Sequence, residues 1–525
     1  MYPGLHAAAH PEKPAIVMGS GAMVTYRELE ERSARLAHLL RGRGLREGDN
    51  VAILAENHPR FLEVFWAAIR SGLYLTGINW HLTPEEAAYL VQDAGSKALV
   101  TTARLAPAAT AIADLVPECD IRLMIDGVVP GFESFEEAVA EFPAVAPASQ
   151  PRGDVMLYSS GTTGHPKGIK RPLSGMHIDD PEFEGVSTLE RTLFGMDGQS
   201  VYLCPAPLYH SAGLRWSVGV HEMGATLVAV EKFDSEEFLA LVERARVTHT
   251  QVVPTMLVRM LRLAPETRAR YDLSSLRCVV HAAAPCPVET KRQAIEWLGP
   301  IVDEFYGSTE GVGTTFLHSD EWLAHPGSVR RPVDCVLHVC DDDGHELAPG
   351  EIGVVYFERE QQSWEYHGDA EKTRATRHPL HENWAALGDI GHLDDDGYLY
   401  LTDRQSFTII SGGVNIYPAE IESRLVLHPK VLAAAVFGLP DPDMGEYVQA
   451  VVQLADGVEP SVELVHELRT YAREHLAGYK VPREMDFRDQ LPRQANGKLY
   501  KHQLRDEYRI ARASTATGGS DDALS

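Results

Sequence analysis

The chain has 525 residues, 44% of them hydrophobic and 23% charged, with a formal net charge of −27. That balance is typical of a soluble globular protein, and the length calls for about three or four domain-sized units rather than one core. The acidic excess argues against general nucleic-acid binding, so any anionic ligand must be met by a few local cations or a metal.

Six cysteines, Cys119, Cys204, Cys278, Cys286, Cys335 and Cys340, form no CxxC pair and no zinc-spaced set. They read as reduced thiols in a cytoplasmic protein. The start, MYPGLHAAAHPEKPAIV, has no basic segment followed by an apolar core, as a secretory signal would. No run of about 18 apolar residues exists to span a bilayer, which leaves peripheral membrane contact open.

In chain order, YRELEERSARLAHLL (26–40) sets Leu29, Ala34, Leu36 and Leu40 near one helical stripe, and NVAILAE (50–56) reads as a buried strand. FLEVFWAAIRSG is a helix closed by Gly72. TPEEAAYLVQDAG is a second, with Thr83 as N-cap, Pro84 at the first helical position and Gly95 as stop. KALVT follows as a strand, and the alternation predicts parallel α/β layers. It continues through THTQVVPTMLVRML and SLRCVVHAAAPCP. From about Asp334 to Leu401, short strands separated by Asp/Gly turns predict an antiparallel β unit. After Arg404 a smaller α+β segment is expected, with SVELVHELRTYAREHLAG as a helix. The closing ASTATGGSDDALS is read as disordered.

YSSGTTGHPKG (158–168) has the composition of an anion-binding loop. Glycines let backbone N–H groups turn toward an anion, hydroxyls add donors, and Lys167 adds a charge. It is not a Walker loop, because Pro166 stands before the lysine and Gly168 after it. EFYGSTEG (304–311) offers Tyr306 for stacking on a purine, Ser308 and Thr309 for phosphate, and Glu310 as a hard oxygen for Mg²⁺. Asp389 would accept ribose hydroxyls, whereas Asp394 to Asp396 read as turn residues. TIISGGVN places a glycine pair after a strand, and LPRQANGKLYK sets Lys498 in a turn. Taken singly, each of these stretches also fits a polar linker or an ordinary strand-end turn.

Together and in this order they resemble the adenylate-forming superfamily of acyl-CoA synthetases, luciferases and peptide-synthetase adenylation domains, from about Glu12 to Arg505. The resemblance implies an α/β fold with a β-barrel. Its large N-terminal domain (1–403) would comprise two α/β subdomains plus the barrel. A small mobile α+β C-terminal domain (404–512) and a disordered tail (513–525) would follow. The site roles it implies are these. Ser159, Ser160, Gly161, Thr162, Thr163, Gly164 and Lys167 grip the ATP phosphates. Tyr306 and Gly307 meet adenine, with Glu304 near its amino group. Thr309 lies at the α-phosphate, Glu310 on magnesium, and Asp389 and Arg404 on the ribose. Lys498 reaches the α-phosphate and the substrate carboxylate. His210, in APLYHSAG, and Ala282, Ala283 and Ala284, in HAAAPCP, line the acyl pocket, and Ser406 is the hinge.

The implied activity is an ATP-dependent acid–thiol ligation using Mg²⁺ and coenzyme A. Fatty, alicyclic or steroid-side-chain acids are the expected substrates, and a homodimer is one option for assembly. Two alternatives stay open: an acyl-AMP ligase loading a carrier protein in trans, and a non-catalytic nucleotide-binding homologue. Three departures from the usual pattern stand out. Ser406 sits where Lys or Asp is common, Leu387 replaces a threonine before the ribose aspartate, and HAAAPCP replaces a Gly-Gly-Ala-Pro type of segment.

Overall fold

A computed structural model describes residues 2–159, 166–329, 331–493 and 499–517. Local sequence signals set the helix starts. Thr25 and Glu28 form a reciprocal capping box at the head of the Tyr26–Gly42 helix. Thr83 and Glu86 do the same for Pro84–Asp93, where Pro84 fills a position with no backbone donor to lose. Gly72 and Gly95 adopt positive φ just beyond their helices, as a left-handed stop requires.

Two large sheets carry the first part of the chain. In the six-stranded sheet Glu133–Ser134, Ile121–Ile125, Ser96–Thr102, Asn50–Leu54, Tyr74–Ile78 and Asp154–Val155 lie side by side, every pair parallel. Asn50–Leu54 is buried at all five positions, as a strand covered on both faces must be. The eight-stranded sheet has a parallel centre with an antiparallel pair at each edge. Its order is Thr315–Leu317, Val302–Tyr306, Cys278–His281, His249–Val252, Val201–Cys204, Thr226–Ala229, Pro14–Met18 and Met23–Thr25. One large core joins the two sheets: Ile53, Trp66 and Leu75 pack in the same cluster as Tyr202, Trp216 and Val280.

The unit after Asp334 is antiparallel, as its turns predict, but it is not a barrel among the described residues. Val336–Cys340, Gly353–Glu358, Asp389–Leu393 and Leu399–Arg404 make an open sheet, with Trp384–Ala385 paired to the second strand. Asp/Gly turns pair neighbouring strands as hairpins, and nothing in that pattern brings the first strand to the last.

Beyond Arg404 a five-stranded sheet is built on the long Val431–Asp441 and Gly445–Leu454 hairpin, with Glu484–Arg488 parallel to the latter. Gly412 and Gly413, both at positive φ, turn the Ile409–Ser411 and Val414–Ile416 hairpin, a two-residue turn that side chains with a Cβ resist. The final helix runs from Lys501 to Thr517, so residues 513–517, expected to begin a disordered tail, are helical. The stretch ARASTAT keeps enough helix-favouring alanine to continue the turn. All six cysteines are free thiols. Among the described residues no helix is long and apolar enough to cross a membrane.

Candidate active site

In an open parallel α/β sheet, ligands gather beyond the carboxyl ends of the strands. The eight-stranded sheet ends there in His281, Glu304 and Tyr306, and the quoted motif Tyr306–Gly311 begins where the Val302–Tyr306 strand stops. Tyr306 Oη donates to Asp389 Oδ2 at 2.6 Å. Arg404 Nε donates to the other oxygen, Oδ1, at 3.0 Å. Asp389 and Arg404 face each other because they are register partners in the antiparallel hairpin. Burial, reinforced by the Asp389 charge, pushes the Tyr306 phenol well above its ordinary pKa. Asp389 also raises the pKa of Arg404, so the tyrosine stays neutral and the guanidinium charged.

Glu310 is buried, and Tyr366 Oη donates to its Oε1 at 3.0 Å. Its backbone carbonyl accepts from Arg171 Nη2 at 2.9 Å. Gly311 has φ of 71°, a left-handed conformation that favours glycine. Ser308 Oγ accepts from the Gly311 amide at 3.1 Å and shapes the turn. Thr309 between them is half-buried.

Glu304 has a partner the sequence reading missed. Lys291, from the buried face of the Val288–Leu298 helix, donates to its Oε2 at 2.7 Å, and His281 Nε2 lies 3.4 Å away. Burial raises the Glu304 pKa and Lys291 opposes that rise. Burial also keeps His281 neutral, with its pKa well below the usual imidazole value.

Ser159 and Lys167 are opposite one another at the mouth of the Leu157–Ser159 and Lys167–Lys170 hairpin, whose loop carries the phosphate motif. Lys167 Nζ pairs with Asp369 Oδ2 at 2.7 Å. Ser160, Gly161, Thr162, Thr163 and Gly164 lie outside the described residues, as does Lys498. Burial, and after it Tyr500, raises the pKa of the Tyr209 phenol; burial, and after it Glu86, raises that of Tyr500.

His210 is the N-cap residue of the Ser211–Met223 helix. Burial drops its pKa to about 4, and its Nε2 is sealed without a hydrogen bond. Ala282 is buried and Ala284 half-buried, while Ala283 is exposed with φ of 73°. An alanine thus holds a backbone conformation that suits glycine, where the commoner segment has a glycine. Ser406 lies exposed in the one-turn helix Gln405–Phe407, between the last strand of the open sheet and the glycine hairpin. Arg505 Nη1 donates to its carbonyl at 3.4 Å.

These features lie on a mixed α/β scaffold. Residues 5–367 match the family described as AMP-binding enzyme, and residues 420–498 match the AMP-binding enzyme C-terminal domain. The chain belongs to that family. It is similar to a fatty acid–[acyl-carrier-protein] ligase of Streptomyces coeruleorubidus, 32% identical over 514 residues, covering 96% of this chain and 95% of the relative. A feruloyl-CoA synthase of an Amycolatopsis species is 34% identical over 507 residues, covering 96% and 98%. The crystal structure of the anthranilate CoA ligase AuaEII in complex with anthranoyl-AMP superposes with a TM-score of 0.84 at 26% identity, covering 97% of this chain and 98% of that one.

Proposed function

We propose that the protein adenylates a carboxylic acid with ATP, releasing pyrophosphate, and then transfers the acyl group to coenzyme A. The observation that carries this reading is the Tyr306–Asp389–Arg404 arrangement beyond the strand ends. It presents an aromatic face beside a carboxylate already oriented by a cation, the combination a nucleoside needs. The similarity to a ligase crystallised with an acyl-adenylate supports the same chemistry.

Each residue then has a physical task. Asp389 accepts from the ribose hydroxyls while Arg404 fixes its orientation. Glu304, held by Lys291 through one oxygen, keeps a second oxygen that can accept from the adenine amino group. The 159–164 segment and Lys167 hold the departing phosphates. Thr309 donates to the α-phosphate. Glu310 would hold magnesium, and its buried carboxylate oxygens suit that hard cation, which when bound lowers the phosphate charge. Lys498 brings the substrate carboxylate and the α-phosphate together against their mutual repulsion, and the carboxylate oxygen displaces pyrophosphate in line.

The thiol then attacks the acyl carbon, and AMP leaves with the carboxylate oxygen it gained. Two half-reactions at one site need a moving part. The segment from about 404 to 512 would supply it, turning about Ser406 to withdraw Lys498 and bring in the 411–415 hairpin.

A carrier protein is the second candidate acceptor, favoured by one observation: a relative 32% identical is an acyl-carrier-protein ligase. Pyrophosphate release across a panel of carboxylic acids, with and without coenzyme A, tests both. Thioester formed only with coenzyme A supports the first reading. Release without thioester points to a carrier. No release with any acid leaves a non-catalytic nucleotide binder.

A further inference from the structure

The Ser211–Met223 helix is buried along most of its length. Within its first two turns Ser211, Ala212, Arg215 and Val218 keep partial accessibility, while Gly213, Leu214, Trp216 and Ser217 are buried. Those positions recur at intervals of three and four, so one stripe of an interior helix borders a space that solvent reaches. Arg215 stands on that stripe. Its Nε is sealed from solvent and has no hydrogen-bond partner, and among the described residues the side chain makes no ion pair. The charges bearing on it are Arg171, of like sign, and Asp154, of opposite sign.

Asp154 is the one opposite charge among them, and Arg215 shares it with Arg171. Arg171 is engaged with the Glu310 carbonyl, and Asp154 Oδ1 accepts from the Val155 amide at 2.7 Å. The internal stretches outside the description, 160–165, Arg330 and 494–498, contain no acidic residue, so none of them supplies a missing carboxylate. Burial, and after it Arg171, brings the Arg215 pKa down to about 10, which leaves it charged at neutral pH. A partly buried guanidinium that shares its one carboxylate with a second arginine, and whose Nε has no partner, gains from a ligand that completes it.

Location gives the ligand its identity. The helix begins at His210, on the acid side, and Arg171 ties the neighbourhood to the Tyr306–Gly311 segment. The carboxylate to be adenylated has its own cation in Lys498. A planar guanidinium fork matches a second carboxylate, bidentately. We propose that Arg215 selects the acid: it binds a second carboxylate of the substrate, remote from the one that is adenylated, so the preferred substrates are dicarboxylic acids. This rests on the adenylation reading above.

The test uses the full chain and pairs of acids that share a skeleton, one member with a terminal methyl and the other with a terminal carboxylate. Pyrophosphate exchange gives kcat and KM for each acid and for ATP. Calorimetry without ATP gives acid binding independently of turnover. Wild type should favour the dicarboxylic member of the best pair by about 10–100-fold in kcat/KM, the scale of one charge-assisted contact. Arg215→Ala should erase that preference through the KM for the acid, leave the KM for ATP unchanged, and flatten the calorimetric difference. Arg215→Lys should restore part of it, which a merely unfolded variant would not allow. Equal use of both acids by wild type overturns the proposal, as does a raised KM for ATP in Arg215→Ala with acid preference intact. Absence of exchange with every acid defeats the adenylation reading alone, because binding of the dicarboxylic acid by wild type and not by Arg215→Ala would still be decided by calorimetry.

Discussion

The proposed nucleotide half of the site and the proposed acid half are built on opposite principles. Around Tyr306 the carboxylates are all engaged, with both ring nitrogens of His281 the exception among the polar groups: Asp389 takes a phenol on one oxygen and a guanidinium on the other, Glu304 takes Lys291, and Glu310 takes Tyr366. Around the Ser211–Met223 helix several polar atoms are not engaged. Tyr209 Oη, His210 Nε2 and Arg215 Nε are all sealed without partners. A closed network holds its shape before any ligand arrives and fixes one geometry. Orphaned polar atoms carry a cost that a ligand removes, so that half makes choice of ligand a matter of energy. The first half suits a nucleotide common to every cycle. The second suits the acid, the part that differs from enzyme to enzyme.

The largest effect should come from Lys498, the residue proposed to act on both the acid and the α-phosphate. Lys498→Ala is expected to slow adenylation by at least about 10²-fold, the loss typical of one charge-stabilising donor. Thioester formation from supplied acyl-adenylate should remain near wild type. Equal loss in both half-reactions, measured by rapid quench, would mean that the lysine does not leave between them.

Opening the closed network comes next. Asp389→Ala removes the partner of Tyr306 and Arg404 at once, and the KM for ATP should rise by about 10–100-fold while the KM for the acid changes little. A comparable rise for both substrates would dissolve the division between the halves.

A third probe concerns the support of the acid half. Glu190 is fully buried against Gly219 of the same helix, with neither carboxylate oxygen hydrogen-bonded. Burial, with Glu222 adding to it, raises its pKa well above the ordinary carboxylate value. The folded protein therefore keeps a proton that the unfolded chain releases above about pH 4.3, and stability falls as pH rises from there toward the folded pKa. Glu190→Gln should raise the melting temperature, more at about pH 8 than at about pH 5. A pH-independent shift would show that the carboxyl does not titrate as described.

The smallest effect belongs to Ala283. Replacing it with glycine relieves a left-handed alanine, and the melting transition should gain about 1 kcal/mol. A loss of stability would mean that the left-handed backbone is not a source of strain.

The sequence was legible where chemistry is local. Thr83, Pro84 and Glu86 announce a helix start because the capping groups lie within one turn. Tyr306, Asp389 and Arg404 drew attention through their order along the chain, whereas the hydrogen bond that joins Tyr306 to Asp389 is a tertiary contact. Long-range pairing was not legible. Lys291 is 13 residues from Glu304 and reads as one more surface lysine of an amphipathic helix. Arg215 sits among Leu214, Trp216 and Ser217, and only a charge inside an otherwise apolar helical run hinted at it. The open sheet shows the same limit: hairpin turns specify neighbours, while closure depends on strands 60 or so residues apart, beyond what turn chemistry encodes.

The central claim is that the acid's own carboxylate oxygen becomes part of AMP. An acid that supports pyrophosphate release, labelled with heavy oxygen in its carboxyl group, would be turned over with ATP and coenzyme A and the AMP weighed by mass spectrometry. AMP carrying one labelled oxygen is the predicted result. Unlabelled AMP alongside thioester would contradict the acyl-adenylate route.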